Sequence, residues 1–297
     1  LHGDRTAPDG LAALAGDDGT WDAVVDTWSA APRAVLEAAR LLRGRAGRYV
    51  YISSRSVYAW PWPPGAGEDA PLVEGAAADA GATEYAKDKR GGELAAVEAF
   101  GTEDSLLVRA GLILGPYENV GRLPWWLNRI ARGGPVLAPG PQDLPLQYVD
   151  VRDLADWVVG AVERESSGPY NLVSPPGHTT MGELLRACVH VTGADAELRW
   201  TDPEVILEAG IEPWTQLPVW VPPDGELSCV HRADVSRALA TGLECRPVGE
   251  TVADTWRWLT EIGGTAPQRP DRTAKGLDPE VEAKVLAGGG GVPDTTP

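Results

Sequence analysis

Apolar runs of strand length alternate with amphipathic stretches of helical period along the first half of the chain. That alternation narrows the choice of fold more than any other feature. WDAVVDTW holds a short apolar run, Ala23 to Val25, closed by the polar Asp26. Pro32 then opens PRAVLEAARLLRGR, in which Val35, Leu36, Ala39 and Leu42 fall on one helical face. Proline suits the first position of a helix, where its missing N–H is not needed. RYVYISS follows, rich in β-branched and aromatic residues, and reads as a strand. After a loop of Pro, Gly and acidic residues, EYAKDKRGGELAAVEAF reads as a helix despite its paired glycines. SLLVRAGLIL reads as the next strand, closed by Gly115 and Pro116. Strands joined through helices run parallel, and a parallel sheet is covered by helices on both faces.

From about Tyr117 the texture changes. Pro and Gly are spaced through residues 115–163, with a helix start at Asp150 or Asp153. SGPYNLVSP reads as a short strand. TTMGELLRACVHVTG reads as a helix with a threonine cap and an acidic residue in its first turn. Residues 200–230 are rich in Trp and Pro and poor in period. HRADVSRALATGL and ETVADTWRWLTEIGG read as two more amphipathic helices, and DPEVEAKVLA as one helix before a disordered glycine-rich tail. The expected organisation is a parallel α/β core over 1–117, continued by about 148–174. A smaller lobe takes 118–147 and 175–264, and 265–297 form a helix and tail.

Composition removes several function classes. The net charge of −17 repels phosphate backbones, so no nucleic-acid partner is expected. No run of about 18 apolar residues is present, so no membrane partner is expected. The start, LHGDRTAPDG, lacks the pattern of a signal peptide. Three cysteines, Cys188, Cys229 and Cys245, read as free thiols of a reducing, cytoplasmic compartment. Neither they nor His2, His178, His190 and His231 follow a metal-ligand spacing, so no metal is expected.

The chemistry-bearing motif is Tyr85-Ala-Lys-Asp-Lys89. Tyr and Lys four apart share one helix face, and an ammonium near a phenol favours the phenolate. Such a phenol can exchange a proton with an alcohol or ketone. Lys87, two residues from Tyr85, points elsewhere. Upstream, a strand ends in Ser53-Ser54-Arg55-Ser56-Val57-Tyr58. Hydroxyls at the C-terminal end of a strand stand where open parallel sheets bind ligands.

YISSRSVYAW, EDAPL, YAKDK, VRAGLILGP, QYVDVRDLADWVV and YNLVSP occur in the order found in the extended short-chain dehydrogenases/reductases, the NAD-dependent epimerase/dehydratase family. The chain resembles that family over residues 1 to about 262. The resemblance implies an α/β fold, a Rossmann-type doubly wound parallel sheet with a smaller mixed α/β substrate lobe, and NAD or NADP as cofactor. It implies Ser54 hydrogen-bonding the reacting oxygen, Tyr85 as general acid/base, and Lys89 holding the nicotinamide ribose and favouring the ionised phenol. For the cofactor it further implies Asp4 and Arg5 near adenine, and Thr27, Trp28 and Ser29 along the pyrophosphate and ribose. Ala110 to Leu112 would pass the nicotinamide. Trp28 departs from the small residues usual at its position.

The family opens with a strand, a GxxGxxG turn and a helix. None is found within residues 1–297, since GGELAAVE and the terminal GGGG follow no suitable strand. The reading is of an N-terminally truncated sheet with DAVVD as a bare edge, poorly stable alone and weak in cofactor binding.

The substrate is a separate matter. Nucleotide-sugar members use an Asn and an Arg on the diphosphate, and the corresponding positions here are Leu112 and Leu146. A diphosphate needs donors, so the function expected is an NAD(P)-dependent oxidoreductase acting on a C–OH/C=O centre of a small organic substrate. The alternatives are a nucleotide-sugar epimerase/dehydratase and an inactive fragment or non-catalytic dinucleotide-binding relative. Arg122, Arg129 and Arg152 are candidate anion contacts. Trp125, Trp126, Trp214 and Trp220 are candidates for lining a pocket. By analogy with the family a homodimer is expected through the Tyr85 helix and the helix before it, with Leu36 and Leu41 available.

Overall fold

The computed structural model describes residues 1–7, 9–16, 18–289 and 291–294. They divide into two compact units. The first takes Leu1–Gly111, Leu154–Leu172 and Asp234–Glu244, and the second takes Leu112–Asp153, Val173–Ala233 and Cys245–Pro297.

The first unit is built on a parallel sheet of four strands, Trp21–Asp26, Ala46–Ser54, Ser105–Ala110 and Gly168–Leu172, lying side by side in that order. Every residue of Ser105–Ala110 is buried, as a central parallel strand requires. Helices Pro32–Leu42 and Tyr85–Phe100 pack against each other and on the sheet. Val35, Leu36, Ala39, Leu42, Tyr49, Tyr51, Ala95, Ala96 and Phe100 form the apolar layer between them. Leu36, expected at a dimer face, is 2% exposed within this layer. Among the described residues Trp21–Asp26 has one pairing partner, and its edge carries Trp21 and Val25, 36% and 50% exposed.

The paired glycines of the Tyr85–Phe100 helix are required by close packing. A Cβ on Gly92 would be driven into the ring of Tyr51, and one on Gly91 would stand 2.5 Å from Pro32 and 2.7 Å from the carbonyl of Ala76.

The second unit has a parallel pair, Gly134–Pro139 with Ala196–Thr201, extended antiparallel by Val292–Pro293. Two further pairs are Leu112–Leu114 with Tyr148–Asp150, and Pro145–Leu146 with Thr179–Thr180. Its helices include Arg122–Ala131, Met181–Thr192, Val248–Glu261 and Pro279–Ala287. Thr180 and Glu183 form the expected capping box, each side chain bonding the other's backbone N–H.

Several boundaries differ from the sequence reading. SLLVRAGLIL is two strands broken at Gly111, whose N–H is donated to the carbonyl of Leu172 at 3.1 Å. The break sends Leu112–Leu114 to a different sheet in the second unit. HRADVSRALATGL is helical only over Ser236–Ala240, and Asp234–Glu244 belongs to the first unit. The C-terminal helix is docked in the second unit, and part of the tail expected after it, Gly290 included, lies outside the described residues. Glu282 of Pro279–Ala287 is 5% exposed, bonds Arg129 at 2.6 Å and accepts the Leu137 N–H at 3.0 Å. Thr295 to Pro297 lie outside the described residues.

Two of the four tryptophans that were candidates for lining a pocket are core. Trp126 and Trp220 have no exposed surface, and their indole N–H groups bond the carbonyls of Pro218 and Gly140. Arg129 is committed to Glu282, and Arg152 to Asp150 and Asp254.

Candidate active site

Ser54 closes the strand Ala46–Ser54 at the C-terminal end of the parallel sheet, paired in register with Ala110. Its hydroxyl accepts the Ser56 N–H at 3.1 Å, which caps the single turn Arg55–Val57, and donates to the Ser56 hydroxyl at 3.1 Å. Tyr85 is the half-buried first residue of its helix. Lys89, one turn later, is 3% exposed.

A buried ammonium needs acceptors. Lys89 donates to the carbonyls of Ile52 and Trp28, each at 2.7 Å, and sits 4.9 Å from the centroid of the Tyr51 ring. Ile52 stands two residues before Ser54. Lys89 therefore fastens the helix of Tyr85 both to the strand of Ser54 and to the loop of Trp28. Tyr51 adds a third tie, donating its hydroxyl to the Trp28 carbonyl at 3.1 Å.

One further turn along the same helix face, Glu93 has no exposed surface. Its carboxylate holds the Arg109 guanidinium in two contacts, 2.9 and 3.1 Å, and also accepts from Arg90 and from the Ser53 hydroxyl, each at 2.8 Å. Arg109 also donates to the Tyr58 hydroxyl at 3.2 Å and to the Glu68 carbonyl at 2.9 Å, and Tyr58 donates to Asn171 at 2.6 Å. Burial pushes the Tyr58 phenol up, with the Arg109 charge opposing it. Sequence reasoning missed Glu93. Its signal was the continuation of the four-residue spacing from Tyr85 through Lys89.

Beside the end of Trp21–Asp26 lies a cleft of about 490 Å³. Arg5, Asp26, Thr27, Trp28, Ser29 and Tyr49 line part of it. Asp26 is the anchor: both its oxygens accept from Arg5 at 2.8 Å, its Oδ1 accepts the Trp28 N–H at 2.9 Å, and the Tyr49 hydroxyl also donates to it. Burial opposes ionisation of Asp26, but Arg5, the Tyr49 hydroxyl and the Trp28 N–H together outweigh it and hold the carboxyl below its ordinary value. The Arg5 guanidinium stands 5.3 Å from the Trp28 ring.

The residues of this cleft fit a nucleotide. Its volume is within the range of small-molecule clefts, it lies beside a strand's C-terminal end, and it presents an indole and the hydroxyl-bearing Thr27 and Ser29 beside it. Asp4 does not join them. It turns back on its own loop and accepts from the Thr6 N–H and hydroxyl at 2.9 and 2.6 Å. Ala110 is buried at its strand end beside Ser54. Leu112 belongs to the second unit's core, as does Leu146, 6% and 0% exposed.

No curated protein matches the sequence. The fold is similar to that of UDP-glucuronic acid 4-epimerase from Bacillus cereus in complex with NAD, with TM-score 0.57 and 14% identity, covering 89% of this chain and 79% of that one. It is also similar to UDP-N-acetylglucosamine 4-epimerase from Methanobrevibacter ruminantium in complex with UDP-N-acetylmuramic acid, with TM-score 0.60 and 15% identity over 87% and 82%. RMD from Pseudomonas aeruginosa complexed with NADPH gives TM-score 0.56 and 15% identity over 88% of each chain. Identities this low speak to fold alone. The family itself is carried by the sequence: the profile described as NAD dependent epimerase/dehydratase family matches residues 8–173. With more than half its length so matched, and with the parallel sheet and strand-end hydroxyl in place, the chain belongs to the NAD-dependent epimerase/dehydratase family.

Proposed function

We propose that the protein is an NAD(P)-dependent oxidoreductase acting at a C–OH/C=O centre of a small organic molecule through Ser54, Tyr85 and Lys89. The observation that carries this reading is the double anchorage of Lys89 on the Ile52 and Trp28 carbonyls. It fixes the Tyr85 helix relative to the strand ending in Ser54 and to the loop lining the nucleotide cleft.

Arg5, Thr27, Trp28, Ser29 and Lys89 would hold the cofactor, which when bound exchanges a hydride with the substrate carbon. Tyr85 exchanges a proton with the substrate oxygen at its hydroxyl. Ser54 hydrogen-bonds the same oxygen and so fixes which carbon is presented. Lys89 positions Tyr85 and contributes positive charge where negative charge develops on oxygen.

A second reading, a nucleotide-sugar epimerase, is supported by the two UDP-sugar epimerases of similar fold. Against it stand Leu112 and Leu146, buried apolar residues where that chemistry needs donors. The test is to incubate the chain and cofactor with small ketones and aldehydes and, separately, with UDP-sugars. Net oxidation of NAD(P)H with a small carbonyl compound, lost in Tyr85→Phe, supports the first reading. Interconversion of UDP-sugars without net cofactor turnover replaces it with the second.

A further inference from the structure

Three serines stand where the strand Ala46–Ser54 ends and the turn after it begins, and the fold sorts them. Ser53 is buried and commits its hydroxyl to Glu93 at 2.8 Å. Ile52, Ser54 and Ser56 are half-buried, whereas Ser53, Arg55 and Val57 are buried. This is the alternation of a strand, with every second side chain on one face. It continues into the turn Arg55–Val57, so that Ser54 and Ser56 share the accessible side at the C-terminal end of the sheet. Their hydroxyl oxygens stand 3.1 Å apart.

The pair is fixed from the buried side. Val57 has no exposed surface, and its carbonyl accepts the Val73 N–H at 2.8 Å. The Arg55 carbonyl accepts the Tyr58 N–H at 3.2 Å, and the Arg55 guanidinium lies 5.2 Å from the centroid of the buried Trp62 ring. A ligand therefore meets the two hydroxyls already in place, which lowers the entropy lost on binding. Two hydroxyls bonded to each other use one of their two hydrogens. Among the described residues the Ser56 hydroxyl donates to no protein acceptor. In the reaction proposed above, Ser54 turns its hydrogen to the reacting oxygen. Ser56 then has its own hydrogen for a second oxygen. An oxygen on the carbon next to the reacting one lies at about hydrogen-bond distance from the first, which is how the two serine oxygens lie from each other.

We propose that Ser56 reads a second substrate oxygen, on the carbon beside the reacting one, and that the substrates are accordingly α-hydroxy ketones and the vicinal diols formed from them. On reduction the carbonyl carbon takes the hydride of the reduced nicotinamide and its oxygen takes the Tyr85 proton, leaving a vicinal diol and the oxidised cofactor. The second oxygen is held and unchanged. A site that hydrogen-bonds a substrate hydroxyl rejects the analogue lacking it, because its own donor is left unpaired. The turnover rests on the oxidoreductase reading, whereas the recognition of two neighbouring oxygens by Ser54 and Ser56 does not.

The experiment compares 2-hydroxycyclohexanone with cyclohexanone as substrates of the whole chain with NADH and NADPH. The hydroxy ketone should be preferred in kcat/KM by about tenfold or more. Ser56→Ala should bring that ratio close to one, and Ser56→Thr, which keeps the hydroxyl, should retain it. A merely structural role for Ser56 would lower both rates together and leave the ratio alone. If neither ketone is turned over, the oxidoreductase reading falls, and the same pair is compared by ligand-observed NMR. Stronger binding of the hydroxy ketone, lost in Ser56→Ala, then upholds the proposal. Equal preference for the two ketones, a ratio unchanged in Ser56→Ala, or absence of both turnover and binding of the hydroxy ketone overturns it.

Discussion

Glu93 shows how much one side chain can fix. A carboxylate without exposed surface is tolerated because Arg109, Arg90 and Ser53 together satisfy it. Removing it would leave Arg109, 2% exposed, as an uncompensated buried charge. Glu93→Ala should therefore cost about 3–5 kcal/mol in urea unfolding, far above the typical single substitution. Asp26 carries the pH dependence. Its folded-state value is depressed, so the stability it contributes is present above the unfolded aspartate value and is lost as pH falls through the folded one. Melting curves should accordingly show a drop below about pH 4, with Asp26→Asn less stable at neutral pH and flatter across that window. The Tyr85–Lys89 pair was legible in sequence because four-residue spacing on a helix is local. The pairing of Arg129 with Glu282, 153 residues apart, was not, and Arg129 accordingly read as a candidate anion contact.

At the scale of elements, the sequence pattern located the strands and helices where apolar period was strong. It failed where one residue redirected the chain. The apolar run divides at Gly111: its N–H is the last to bond the first sheet, at the Leu172 carbonyl, and Leu112–Leu114 pairs instead with Tyr148–Asp150. The paired glycines of the Tyr85–Phe100 helix looked like a defect and are a packing requirement. Their test has an informative sign. In a free helix glycine to alanine gains about 1 kcal/mol. At Gly92 the new Cβ meets the Tyr51 ring, and overpacking of that kind costs roughly 1–3 kcal/mol. Gly92→Ala should thus be destabilising in chemical denaturation, and it should disturb the Tyr51 hydroxyl that bonds Trp28. Thr180→Ala removes half of the capping box and should cost about 1 kcal/mol.

At the scale of the whole molecule, two units share one chain that passes between them several times. Alternating strands and helices announced the first unit well, since each element is contiguous in sequence. The return of Asp234–Glu244 to that unit and the docking of Pro279–Ala287 in the second depend on contacts between distant residues, which no local period reports. The central claim is that the first unit holds a nicotinamide cofactor with Lys89 at its reacting end. The direct measurement is a titration of the chain with NADH and NADPH, following energy transfer from tryptophan to the reduced nicotinamide. The account predicts saturable transfer with at least one cofactor, weakened about tenfold or more in Lys89→Met, a loss of roughly 1.4 kcal/mol. Absence of saturable transfer with both, or affinity unchanged in Lys89→Met, would contradict it.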